Sequence, residues 1–316
     1  MKKLGAFIVP TGVGASIGGF AGDASKWARK IAQKCDLIVN PNVVNAACFS
    51  GITENMLYVE GYTLDKFFKG ECGLEKSSNN KIGIVFDKAI PKQVLNVHLN
   101  TVNAVQTVYD TDILGYEITE EEVGVEFYND PSGISTGNVK NLKTIKTSAE
   151  KLIKKGCNAI AIVCFFNEEQ GDDYANGIGV DPVGGVEAII SHYISKELNI
   201  PTAHAPAFED LTISTDIVDK RCAAEYITPT FLPCILLGLT QAPLIKGYKQ
   251  GLNIDNLDFL VMPYNALGGI PVLEAHKRGI KIFAIKENKT ILSVTPLKFN
   301  IKCDIINTYE ELLELI

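Results

Sequence analysis

The residues most suited to chemistry fall in loops. Gly12, Gly14, Gly18, Gly19 and Gly22 crowd one short segment after the first apolar run. Glycine lets a backbone approach a ligand closely, and free amides ahead of a helix attract an anion. Thr11, Gly12, Gly14 and Ser16 are therefore expected to bind the anionic part of a small molecule. The spacing does not match the dinucleotide fingerprint GxGxxG, and no Gly-Lys-Ser/Thr follows as in a P-loop. A second loop, Asn265-Ala-Leu-Gly-Gly-Ile-Pro271, also leads into a helix, with Pro271 suited to the first turn. Asn265 and the Gly268 and Gly269 amides are expected to meet the same anion. In Asn40-Pro-Asn-Val-Val-Asn45, Asn42 and Asn45 are expected to hydrogen-bond a polar ligand or cap a helix.

Three further groups could carry chemistry. His204 lies between Pro201 and Pro206, and an imidazole in a rigid loop suits general acid/base work, with Glu209 and Asp210 near enough in sequence to orient it. His98 and His192 sit in helical patterns and read as structural, and His276 reads as a helix-surface residue. Glu168, Glu169, Asp172 and Asp173 offer enough oxygens for a divalent metal, the one candidate for a cofactor that the sequence otherwise leaves unknown. The other reading of that stretch is a solvated, mobile lid. Asp181, further along it, joins His204 and Cys164 as a candidate catalytic group. Cys164 ends an apolar run, where a buried inert thiol is the default. Residues 132–137 read as a plain turn.

These loops need elements to hold them. Strand-like runs at residues 4–10, 37–40, 81–86, 124–128, 159–165, 257–262 and 281–285 alternate with helical patterns at 23–35, 91–109, 147–155, 185–198, 219–226, 231–238, 270–278 and 309–316. Such alternation predicts an α/β fold with mainly parallel sheets and flanking helices. The chain reads as one unit over 1–316, or as two lobes, 1–80 with 230–316 and 81–229. Ligands in such folds gather beyond the carboxyl ends of the strands.

Composition narrows the partners. Hydrophobic residues make up 46% and charged residues 21%, enough apolar surface for a sizeable core. The net charge of −7 argues against a nucleic-acid partner. Eight cysteines without a CxxC pair read as reduced thiols, neither zinc ribbon nor disulfide framework. The first apolar run is too short for a signal peptide, and the run near 231–239 is too short for a membrane span. A cytoplasmic protein without a membrane partner is expected, binding a small molecule, with a homo-oligomer left open.

Several segments together resemble one family across nearly the whole chain. They are IVPTGVGASIGGFAGDA, NPNVVNAA, NMLYVEGYTLDKF, GVDPVGGVEAIISH, IPTAHAPA and TFLPCILLGL. The family is an uncharacterised bacterial domain of unknown function common in cyanobacteria, and the resemblance supplies no catalytic residues. Locally, KKGCNAIAIVCF and LLGLTQAPLI resemble the two cysteine segments of the aspartate/glutamate racemase family, with Leu239 at the second cysteine position. That resemblance implies a one-cysteine isomerase or decarboxylase using Cys164. GGIPVLEAHKRGIKIFAI resembles the donor-nucleotide segment of two-lobed glycosyltransferases. Three functions follow: an enzyme on a small anionic metabolite (carboxylate or phosphoester) with His204 as acid or base; the cysteine-dependent isomerase or decarboxylase; and a non-catalytic nucleotide or metabolite-binding protein.

Overall fold

Uninterrupted apolar runs are the sequence form of parallel strands covered on both faces, and here they build two sheets. A computed structural model describes residues 2–167 and 172–316. The sheet strands, in chain order, are β1 (Leu4–Phe7), β2 (Asp36–Val39), β3 (Met56–Tyr58), β4 (Ile82–Phe86) and β5 (Ile113–Ile118). They continue as β6 (Ala159–Phe166), β7 (Thr202–Phe208), β8 (Phe259–Pro263), β9 (Lys281–Ile285) and β10 (Asp304–Ile306). The first sheet has the order β10-β9-β8-β1-β2-β3, and the second β7-β6-β4-β5. Every neighbouring pair in both sheets is parallel. The α/β class with mainly parallel sheets is therefore what the chain adopts.

The first sheet takes strands from both ends of the chain, and its order reverses between β1 and β8. Their two following loops diverge there, which opens a crevice beyond the carboxyl ends. The second sheet comes from the middle of the chain. One apolar core spans the two: Phe7 and Val39 belong to the same buried cluster as Phe86, Val163 and Ala205. The helix Leu232–Thr240 joins them. Leu232, Pro233, Cys234, Ile235, Leu236, Gly238 and Leu239 are all buried, so it is apolar nearly all round. It packs on β6 and β7 and on the small hairpin of Asn45–Ala46 with Phe49–Ser50. Asn80 secures its end by donating to the Leu239 and Ala242 carbonyls at 2.7 Å each.

Several elements differ from expectation. His204 lies inside β7, not in a loop. The flanking Pro201 and Pro206 argued against a strand, but β7 is a sheet edge, where a missing amide can face away from the ladder. The helix expected over 219–226 forms only at Ala223–Tyr226. Residues 132–137 are part turn and part strand, because Val125–Asn129 pairs antiparallel with Ser135–Val139. Strand β5 lacked a continuous apolar run because it is an edge strand, with Leu114, Tyr116 and Ile118 exposed.

Ser135 ties that hairpin to the ligand edge of both sheets. Its amide donates to the Gly12 carbonyl at 3.0 Å, its hydroxyl donates to the Pro182 carbonyl at 3.1 Å, and it accepts from the Gly185 amide at 3.0 Å. A Cβ on Gly185 would lie 1.9 Å from the Ser135 carbonyl oxygen. Helix propensity alone would make Gly185→Ala stabilising by about 1 kcal/mol. The clash with a backbone atom reverses the sign, and a loss of about 1–3 kcal/mol is expected from urea unfolding.

Candidate functional site

Two cavities open at the carboxyl ends and share Thr11, Pro41 and His204. The larger, about 740 Å³, runs between the loop after β1, the loop after β8 and the helix Gly184–Leu198. Ile8, Leu64, Met262, Leu292, Val294 and Phe299 give it an apolar wall. The smaller, about 90 Å³, reaches toward the second sheet and meets Tyr174, Asp181, Glu187, Glu225 and Cys234. No Lys or Arg among the described residues lines either one.

The glycine loop is only partly available to a ligand. The Ser16 amide donates to the Lys289 carbonyl at 2.7 Å. The Ser16 hydroxyl donates to the Glu287 carbonyl at 3.0 Å and accepts from the Lys289 amide at 2.8 Å. The Ile17 amide is held by Asn288 Oδ1 at 3.1 Å, and Asp23 Oδ1 accepts from the Gly18 and Phe20 amides at 2.7 and 3.3 Å. Burial pushes the Asp23 carboxyl up to about 6 despite those amides. Gly12 and Gly14 have φ of 72° and 56°, and a Cβ there would crowd Ser135 or Val180 and Ile291. Their glycines serve the turn and close packing, and neither lines a cavity. Asn265 is likewise occupied. Its amide donates to the Thr290 and Leu292 carbonyls at 2.8 and 2.6 Å, and its oxygen accepts from the Thr290 amide at 2.9 Å. Gly12, Gly14, Ser16 and Asn265 thus build the walls instead of touching the space between them. Thr11, Gly268 and Gly269 face the larger cavity, and Asn42 and Asn45 the smaller.

His204 faces both cavities. Its Nδ1 lies 2.9 Å from Ser191 Oγ, and that hydroxyl donates to the Ala188 carbonyl at 3.2 Å. With the Ser191 proton on the Ala188 carbonyl, His204 Nδ1 is the donor to Ser191 and Nε2 keeps its lone pair. Burial, with the neighbouring His192 second, pushes the imidazole down to about 3. It is neutral at physiological pH, a hydrogen-bond acceptor and not a group that titrates near pH 7. Ser191 orients it, and not the expected Glu209 or Asp210. His192, expected to be structural, lines the larger cavity, with Nε2 3.7 Å from Glu60 Oε2. His98 is buried, its Nδ1 2.9 Å from the Val94 carbonyl.

Cys164 lines neither cavity. It sits with Ile160, Ile162 and Phe166 under Val186 and Ile190, and burial pushes its thiol well above the usual range. A thiolate is disfavoured there, so the surroundings of Cys164 lend the cysteine-dependent reading no support. Asp181 does line the smaller cavity. Its Oδ1 accepts from the Val183 and Gly184 amides at 3.0 and 3.1 Å, and burial raises its carboxyl.

Glu187, Glu225 and Tyr174 escaped sequence reasoning. Glu225 Oε1 accepts from the Tyr174 hydroxyl at 3.2 Å. Glu187 Oε1 and Glu225 Oε2 are buried without a hydrogen-bond partner among the described residues. Burial first, then the neighbouring carboxylates, pushes both groups well above the usual range. One signal was available: Glu187, Ser191 and Ile194 recur at helical spacing on the face that the helix buries. A glutamate there is out of place unless it has a task. Of the expected metal ligands, Glu168 and Glu169 lie outside the described residues, as does the Asp172 side chain, and Asp173 is exposed. Among the described residues no three His, Cys, Asp or Glu side chains assemble to hold a metal.

Parallel sheets with a cleft at the switch point, lined by carboxyls and a histidine, place the chain in the class of α/β proteins with helices flanking parallel sheets. Within that class the chain belongs to the family described as "Protein of unknown function (DUF3326)", which it matches over residues 5–316. A Synechococcus protein described as an uncharacterised lipoprotein is 37% identical over 313 residues, covering 96% of this chain and 87% of the relative. No solved structure matches. The relative's description as a lipoprotein overturns the cytoplasmic expectation, which rested on the shortness of the apolar runs. A covalent lipid anchor requires no such run in the folded chain. Among the described residues no helix is long and apolar enough to cross a membrane.

The buried acids set a pH test. Glu187 has a folded pKa raised above its ordinary 4.5. Its contribution to stability is therefore fully present below that value and is lost as pH rises through the folded pKa. His204 acts oppositely, costing stability as pH falls from 6.5 toward about 3. Glu187→Gln is expected to raise the urea midpoint at alkaline pH and to give no gain at pH 4.5, where the wild-type carboxyl is already neutral in the fold.

Proposed function

We propose that the protein is an enzyme that holds a small metabolite across the two joined cavities and transfers a proton at their junction. The observation that carries this is the meeting of a neutral imidazole with three carboxyls, Glu187 buried and Asp181 and Glu225 half-buried, around one space at the switch point of a parallel sheet. The apolar body of the ligand fits the larger cavity. Its anionic end lies toward Thr11, Gly268 and Gly269, where the helix Ile270–Lys277 begins with no side-chain cap and amides can receive a carboxylate or phosphoester. His204 Nε2 accepts a hydrogen bond from the reacting group and fixes its position. Glu187 carries the proton, because a carboxyl raised toward neutral pH can both give and take one.

The test uses the ligand that the protein itself selects. Purified protein is incubated with a metabolite extract, separated by gel filtration, and its bound compounds are identified by mass spectrometry. Wild type is expected to retain one compound or its product. Ala188→Trp, which fills the larger cavity, is expected to retain neither. With that compound as substrate, Glu187→Gln is expected to lower turnover by about 10²-fold or more, the usual contribution of a general acid/base. Equal retention by Ala188→Trp, or unchanged turnover in Glu187→Gln, would overturn the reading.

A further inference from the structure

The smaller cavity has the wrong charge for the anion that the loops suggest. Asp181, Glu187 and Glu225 line it, and Lys and Arg do not. Arg221 lies over the Phe20 ring on its rim, but its Nε donates to Asp219 at 2.9 Å and its guanidinium reaches the Gly177 carbonyl at 2.7 Å. Glu187 is 6% exposed and lines the space, yet its Oε1 has no hydrogen-bond partner among the described residues. Glu225 Oε2 is in the same condition. A buried acceptor left unsatisfied costs about 1–3 kcal/mol. Two such acceptors beside one cavity, with a third carboxylate near, describe a place for a hydrogen-bond donor that carries positive charge.

We propose that this cavity receives an ammonium group of the ligand, held by Glu187, Glu225 and Asp181. The inference rests on the reading that the cleft holds the substrate, and it names part of that substrate: an amine at one end and an anion at the other. An ammonium offers three donors, enough for Glu187 Oε1, Glu225 Oε2 and one further oxygen. The cavity, about 90 Å³, has room for an amino group and an adjoining carbon and not for a whole metabolite. A bare divalent ion is the weaker fit: its oxygen ligands must close to about 2.0–2.6 Å, no group of three among the described residues does so, and hydrogen bonds to an ammonium span the longer distance of about 2.7–3.2 Å. His204, neutral and with Nε2 unprotonated, adds an acceptor and no competing charge. A bound ammonium would also draw the raised carboxyls back toward ionisation.

Ethylammonium chloride is the probe, with potassium chloride, potassium acetate and magnesium chloride at matched ionic strength as controls. Melting temperature is followed at mildly alkaline pH. Ethylammonium at about tenfold its Kd is expected to raise it by about 3 °C above the potassium chloride value. Glu187→Gln and, separately, Glu225→Gln are expected to weaken the ethylammonium affinity by about tenfold, since each removes a charge-assisted bond. Circular dichroism verifies that each variant is folded, and either one suffices if the other is not. The same shift with magnesium or acetate, no shift in wild type, or undiminished affinity in both variants would overturn the inference. A compound captured from the extract that lacks an amine would sink this assignment and leave the cleft reading standing. A response to ethylammonium without any captured compound would do the reverse.

Discussion

The structure depends on one act of burial, that of the helix Leu232–Thr240 between the two sheets. The helix has no polar face to turn to water, so it cannot be a surface element. Placed where it is, it covers β6 and β7 of the second sheet, and its Gly238 lies against Tyr58 on the edge strand of the first. Asn80 closes the arrangement by donating to two carbonyls at the helix end, Leu239 and Ala242. Because one core serves both sheets, their carboxyl ends are held in fixed register, and a cleft between them becomes a permanent feature.

The walls of that cleft are polar knots. Asn288 holds both the amide and the carbonyl of Ile17, Asn265 bridges to Thr290 and Leu292, and Ser135 links three segments. These are residues of the type expected to bind a ligand, and most bind the protein's own backbone. Loops of this length cannot be rigid through apolar packing alone, and their amides and carbonyls need partners. Among the described residues, Glu187 Oε1 and Glu225 Oε2 are the groups beside the smaller cavity left without partners. Placing uncompensated acids in an apolar setting lowers stability, and the rest of the fold must absorb that cost. Such a concession is common where a site must be ready for a ligand.

Much of the fold was legible because its signals are local. The runs at β4, β6 and β9 are continuous and apolar, as parallel strands require, and the helix Lys92–Tyr109 begins just after Pro91 as expected. Edges were harder to see. Strand β7 carries Pro206 and strand β5 exposes alternate residues, so each lacks the signal of a covered strand. The site was legible in part. Thr11, Asn42, Asn45, Asp181, Gly268 and Gly269 line cavities, whereas Ser16 and Asn265 have the right chemistry and are occupied elsewhere.

By itself the sequence determined the class of fold, the positions of many strands and helices, and several of the loops that rim the cavities. Periodicity and turn residues act over a few neighbours, and those interactions are written directly in residue order. Only the tertiary structure decided that Glu187 and Glu225, thirty-eight positions apart in the chain, would share one space with His204 and leave oxygens unpaired. It also decided that His204 would be neutral. A pKa depends on what surrounds the group, and those surroundings come from segments that meet only when the two sheets close on their common core.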